Sequence, residues 1–159
     1  EASIIGKFTE VSEGFNVFDM DGKYNPEWLA ADDVKTLEER NKVAVNYFET
    51  AFKVYEIYTV DGEQTLGENY ADLGGMEVVT SLCDSRDDLE TLLTNYAKIW
   101  SEISTTDGLI NQLETDEHSP CYIRVNSILA TLDIFYEMYD VQEGDGMYVA
   151  PENRIGRWY

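Results

Sequence analysis

Glu68 and Asp72, in the run Glu68-Asn69-Tyr70-Ala71-Asp72, lie four residues apart, a spacing that puts both carboxylates on one face of a helix, where they can share one cation. In a chain with 32 acidic residues against 11 basic ones, the default reading of such a pair is a solvated acidic face. His118 is the only histidine; taken alone, its default is a purely structural role. Cys83 and Cys121 are the only cysteines, and their separation offers neither a disulfide framework nor metal-ligand spacing. Both are read as buried or free thiols, since free cysteine behaves as a small hydrophobe.

The elements that must carry these groups are helical. The stretch Asp19-Met20-Asp21-Gly22-Lys23-Tyr24-Asn25-Pro26 has the Asp-Gly and Asn-Pro punctuation of a turn, and a helix start is expected near Asp32. Val34, Leu37, Val45, Phe48, Phe52 and Tyr55 then recur at helical spacing, predicting one long amphipathic helix. After a break at Asp61-Gly62, a second helix is predicted over 68–82 with Leu73, Met76, Val79 and Leu82 on one side. The pair Gly74-Gly75 inside it predicts another backbone passing close by, because glycine in a helix costs roughly 1 kcal/mol against alanine. A third helix over 87–103 turns Leu89, Leu92, Leu93, Tyr96, Ile99, Trp100 and Ile103 inward, with Asp87 and Asp88 suiting its N-terminal dipole. A fourth, over 122–139, buries Leu129, Leu132, Phe135, Tyr136 and Tyr139.

With 159 residues, 43% of them hydrophobic and 13% aromatic, the chain has apolar material for a sizeable core and reads as one domain spanning 1–159. Its formal net charge of −21 repels phosphate, so nucleic acid and anionic membrane are excluded as expected partners. No apolar run approaches the roughly 20 residues needed to cross a bilayer. Glu1 opens the chain without a basic stretch or an apolar signal segment, so the sequence as given is expected to be soluble; a removed leader or an upstream domain would leave the same start.

The run Thr65-Leu66-Gly67-Glu68-Asn69-Tyr70-Ala71-Asp72-Leu73-Gly74-Gly75 closely resembles the signature of the neprilysin-like zinc metalloendopeptidases, in which a Glu-x-x-Ala/Gly-Asp segment supplies the third zinc ligand. Downstream, Asp116-Glu117-His118-Ser119-Pro120 and Arg124-Val125-Asn126 are similar to the family's Asp-x-His-x-Pro segment and its following arginine. Upstream, Phe18-Asp19-x-Asp21-Gly22-x-Tyr24-Asn25-Pro26-x-Trp28 resembles the stretch after the zinc motif, and Met147, Pro151-Glu152 and Trp158 match the family's C-terminal run. The resemblance covers nearly the whole chain but only the last part of a family member. It implies a mainly α fold, the helical C-terminal part of a zincin-like (gluzincin) metallopeptidase catalytic domain. It also implies that Glu68 is the glutamate zinc ligand and that Asp72 orients a ligand histidine. His118 would stabilise a tetrahedral oxyanion and Arg124 would grip a substrate carbonyl. An extracellular or cell-surface location follows from the same resemblance.

One departure changes the functional reading. The family carries His-Glu-x-x-His on a helix, two imidazoles for zinc and a glutamate to activate water. Here the matching run is Thr9-Glu10-Val11-Ser12-Glu13-Gly14-Phe15-Asn16, against a family run like His-Glu-Ile-Ser-His-Gly-Phe-Asp, with a short deletion before Phe18. Thr9 and Glu13 occupy the histidine positions, and only Glu10, the general-base position, is retained. A threonine hydroxyl is a weak ligand that does not ionise near neutral pH, so tight zinc binding is expected to be lost. Glu10, Glu13, Glu68 and Asp72 would crowd together and raise one or more carboxyl pKa values; the expected occupant is a calcium- or magnesium-like ion, or the side chain of Lys7. The expectation is a catalytically degenerate family member that retains peptide binding near His118 and Arg124. Its alternatives are part of an active zinc endopeptidase, completed by an upstream peptidase segment or another chain, and a non-enzymatic interaction scaffold.

Overall fold

The computed structural model describes residues 19–25 and 27–156. Helix α1 (Ala31–Thr50) starts with Asp32 and Asp33 in its first turn, where carboxylates meet the positive end of the helix dipole, and it buries Ala44, Tyr47 and Phe48. The periodic face predicted to run on to Tyr55 stops at Thr50. Val54 and Tyr58 instead pair across a tight turn through hydrogen bonds of 2.8 and 3.0 Å. That turn holds Tyr55 and Glu56 at φ of 52° and 64°, leaving Phe52 buried but Tyr55 66% exposed.

The break at Asp61-Gly62 is there, and its chemistry is visible. The Asp61 carboxylate accepts the backbone N–H groups of Glu63 and Gln64, both at 3.0 Å, an Asx-type turn. A Cβ on Gly62 would come within 2.6 Å of the Val45 carbonyl oxygen, so α1 and this turn approach too closely for any other residue. Helix α2 (Leu66–Ser81) follows, burying Leu66, Asn69, Tyr70, Leu73, Gly74 and Met76. The close pass expected at its glycine pair is not found at Gly75, where an added Cβ would meet nothing within 4 Å.

Helix α3 (Arg86–Ile99) is capped by Ser85, whose hydroxyl accepts the Asp88 N–H at 3.1 Å. It ends before the predicted 103: Ile99 and Ile103 are 73% and 101% exposed, while Leu89, Leu93 and Tyr96 face the core. The sequence reading missed α4 (Thr106–Thr115), which buries Leu109 alone; its start is fixed by Thr105, whose hydroxyl accepts the Gly108 N–H. The fourth predicted helix is two, α5 (Cys121–Leu129) and α6 (Asp133–Tyr139). Between them Thr131 donates its hydroxyl to the Ile155 carbonyl and accepts the Ile155 N–H, each at 2.6 Å, so the C-terminal segment is laced into the interruption. Tyr139, expected inside, is 44% exposed.

Helix α5 packs against both α2 and α3, and α1 packs on α2. Phe48, Leu73, Leu93, Ile123 and Ile128, from four helices, form the fully buried centre. The described chain is therefore mainly helical, as expected, and the motif helices α2 and α5 lie at the middle of the packing. No helix among the described residues is long and apolar enough to cross a membrane.

Candidate functional site

Helix α2 presents Glu68 and Asp72 one turn apart, and each meets a partner from the α5 side. The His118 Nε2 lies 3.1 Å from Glu68 Oε2, and its Nδ1 lies 2.8 Å from Asp116 Oδ1. Asp116 Oδ1 also accepts the backbone N–H of His118 at 2.9 Å. That backbone bond first, and the imidazole second, hold the Asp116 carboxyl below its ordinary range. Both ring nitrogens of the only histidine are thus engaged by carboxylates.

The loop carrying His118 is pinned to α2 and α4. Gln64 Nε2 donates to the Asp116 carbonyl at 2.6 Å, Gln112 Nε2 to the His118 carbonyl at 3.4 Å, and Ser119 Oγ to Asn69 Oδ1 at 2.8 Å. Asn69 and Ser119 are each 1% exposed, and Asn69 Nδ2 donates in turn to Thr65 Oγ1 at 3.0 Å. Such a fully satisfied buried network fixes a loop where a solvent-exposed bond would not.

Arg124 lies one turn into α5 and donates Nε and Nη2 to the two oxygens of Asp72, at 2.6 and 2.8 Å. Both side chains are only 12% exposed, so this bidentate pair is charge-assisted and screened little by water. The guanidinium stacks 3.9 Å from the ring centre of Trp100, and the Tyr96 hydroxyl donates to the Arg124 carbonyl at 3.0 Å. Burial disfavours the charged guanidinium, but the hydrogen bonds and charge of Asp72 outweigh it and raise its pKa. Burial, then the Asp72 charge, pushes the Tyr96 phenol far above its ordinary range, so it remains a neutral donor. Nη1 of Arg124 has no hydrogen-bond partner among the described residues.

Four of the residues singled out from the sequence, Glu68, Asp72, His118 and Arg124, therefore converge in two pairs. Thr9, Glu10, Glu13 and Lys7 lie outside the described residues, as do Pro26 and Trp158. Among the described residues, no group of three or more His, Cys, Asp or Glu side chains is placed to hold a metal ion. Sequence reasoning quoted Asn69, Asp116 and Ser119 within the motif runs but gave none of them the bracing role they have here. It turned Trp100 inward, and the half-buried ring packs against the core while also supporting Arg124. Asn69 carried a signal: it is a polar residue between two acids on the inward side of an otherwise apolar helix face.

The sequence profile of peptidase family M13 matches residues 10–155. The chain belongs to this family. The neutral endopeptidase of Lactococcus lactis subsp. lactis (strain IL1403) is 34% identical over 155 residues, covering 94% of this chain and 24% of that protein. Neprilysin-3 of Drosophila melanogaster is 28% identical over 151 residues, covering 82% of this chain and 18% of its own length. The crystal structure of PEPO from Lactobacillus rhamnosis HN001 (DR20) superposes with a TM-score of 0.85 at 27% identity, over 98% of this chain and 25% of that one. The fold is thus that of the helical C-terminal part of a zincin-like domain, and the chain spans about a quarter of the length of these bacterial relatives. M13 enzymes are neprilysin-like, zinc-dependent and act on peptides.

Proposed function

We propose that this M13 chain, folded as one domain over 1–159, binds peptides at the His118 and Arg124 surface and does not itself hydrolyse them. The observation that carries the reading is the disposition of imidazole. The chain owns a single histidine, and that ring is already held between Glu68 and Asp116. None remains for the two ligand positions, which Thr9 and Glu13 fill. Zinc is held firmly by imidazole or thiolate, and its tetrahedral site does not fit a donor set of carboxylates and a hydroxyl. Asp72, the acid that would orient a ligand histidine, gives both oxygens to Arg124 instead.

In this reading Glu68 keeps the ligand position and Glu10 the general-base position without the metal that would give either its chemistry. Arg124 is fixed by Asp72 and Trp100 with Nη1 directed to a peptide carbonyl, and His118 lies beside it as a second polar contact. A hard cation such as calcium or magnesium, or Lys7, neutralises the acids gathered around Glu68. The domain works outside the cell or at its surface.

A second reading, an active endopeptidase completed by a further segment or another chain, is favoured by the retention of Glu10, Glu68, Asp72, His118 and Arg124 in the sequence. A fluorogenic peptide assay with and without added zinc separates the two. We expect no zinc-dependent cleavage, but peptide binding that weakens by about tenfold in Arg124→Lys, which keeps the charge and loses the bidentate fork. Cleavage that requires zinc and disappears in Glu10→Gln overturns the proposal in favour of the second reading. Binding unchanged in Arg124→Lys leaves only a scaffold.

A further inference from the structure

Helix α5 also borders a cavity of about 280 Å³ whose lining includes none of Glu68, Asp72, His118 and Arg124. Its apolar walls come from Val54, Leu109 and Val125, and the aromatic residues Tyr55, Trp100 and Tyr122 line it as well. Both tyrosines are well exposed, at 66% and 49%. Tyr55 is held in position by the left-handed turn closed between Val54 and Tyr58, a conformation that a bulky residue adopts only where the surrounding structure enforces it.

Glu102 supplies the charge on this lining. Among the described residues it is in no ion pair; its partner is the Cys121 thiol, which donates to Oε2 at 2.9 Å. Burial first, and Glu102 second, push that thiol up to about 11, so at neutral pH it stays a neutral donor to the carboxylate. A small cavity with aliphatic walls, three aromatic residues and one carboxylate outside any ion pair has the chemistry of a site for an organic cation. A volume at the foot of the range of small-molecule sites leaves room for a single side chain. The net charge of −21 adds a long-range attraction for basic partners and repels anions.

We infer that this cavity takes the side chain of a lysine or arginine from a partner polypeptide. The methylene stem lies along Val54, Leu109 and Val125, and the cationic head reaches Glu102 beside Tyr55 and Tyr122. This does not rest on the reading of the Glu68–His118 cluster, which lies outside the cavity lining.

Nuclear magnetic resonance titration of the full chain tests it, with N-acetyl-lysine, N-acetyl-arginine and N-acetyl-norleucine N-methylamides as probes. The lysine and arginine probes are expected to shift the Trp100 indole and the Tyr55 and Tyr122 amide signals in a saturable manner. They should bind at least about 5-fold more tightly than norleucine, the scale of one partly exposed ion pair with an aromatic contact. Glu102→Gln, a change at an exposed side chain, should remove that preference, and Tyr122→Ala should weaken both cationic probes. Equal affinity for norleucine, an unaltered preference in Glu102→Gln, or no saturable shift with any probe overturns the inference.

Discussion

At the scale of single residues, the pair Asp72–Arg124 holds the most charge in the least water. Removing one partner strands the other as an uncompensated, partly buried charge, a loss of about 3 kcal/mol. Arg124→Ala should therefore lower the urea midpoint markedly, and Asp72→Asn should do so to a similar degree. The exposed pair Lys35–Glu39, at 74% and 65% exposure and 3.8 Å, is the contrast: Lys35→Ala should change stability by less than about 0.5 kcal/mol. Asp116 gives a pH signature. Its folded-state pKa is lowered by the His118 N–H and ring, so its contribution is present above the unfolded value and is lost as the pH falls through the lowered folded value. Asp116→Asn should thus destabilise the protein at neutral pH and have a progressively smaller effect as the pH falls through the lowered folded value, read from denaturation midpoints along an acid series.

At the scale of elements, the interruption between α5 and α6 ties the C-terminal segment to the core. The hydroxyl of Thr131, 2% exposed, both donates to and accepts from the backbone of Ile155. Thr131→Val keeps the shape and leaves two backbone groups without partners, at a cost of about 2 kcal/mol. Hydrogen exchange should show the 149–156 segment opening far more readily in that variant, with α2 and α3 little changed. This interruption is also where the sequence was least legible. The residues 122–139 keep an apolar rhythm through Leu129, Leu132, Phe135 and Tyr136, and no glycine or proline marks the break. What breaks the helix is a contact between Thr131 and a residue 24 positions away, which periodicity cannot contain. The end of α1 failed for a related reason: Phe52 continues the apolar face, but the turn at Val54–Tyr58 is closed by its own backbone. By contrast Asp61-Gly62 announced its turn by residue type, and the turn is where the sequence put it.

At the scale of the whole molecule, the packing of α5 across α2 and α3 is what brings pairs of motif residues 50 and 52 positions apart into one surface. The motif residues themselves were legible because their types and order are those of the M13 family, and the structure brings Glu68 to His118 and Asp72 to Arg124. Their bracing by Asn69, Ser119 and Trp100 was not, because a buried asparagine or tryptophan has the same sequence appearance whether it fills a core or supports a charged neighbour. On the proposed reading composition matters more than shape: one imidazole, already engaged by two carboxylates, does not also furnish a pair of zinc donors. Equilibrium dialysis of the intact chain against zinc, followed by X-ray absorption spectroscopy of what is retained, measures this directly. No stoichiometric zinc is expected after dialysis. One zinc per chain with nitrogen donors in its shell, lost in Glu68→Gln, would contradict it.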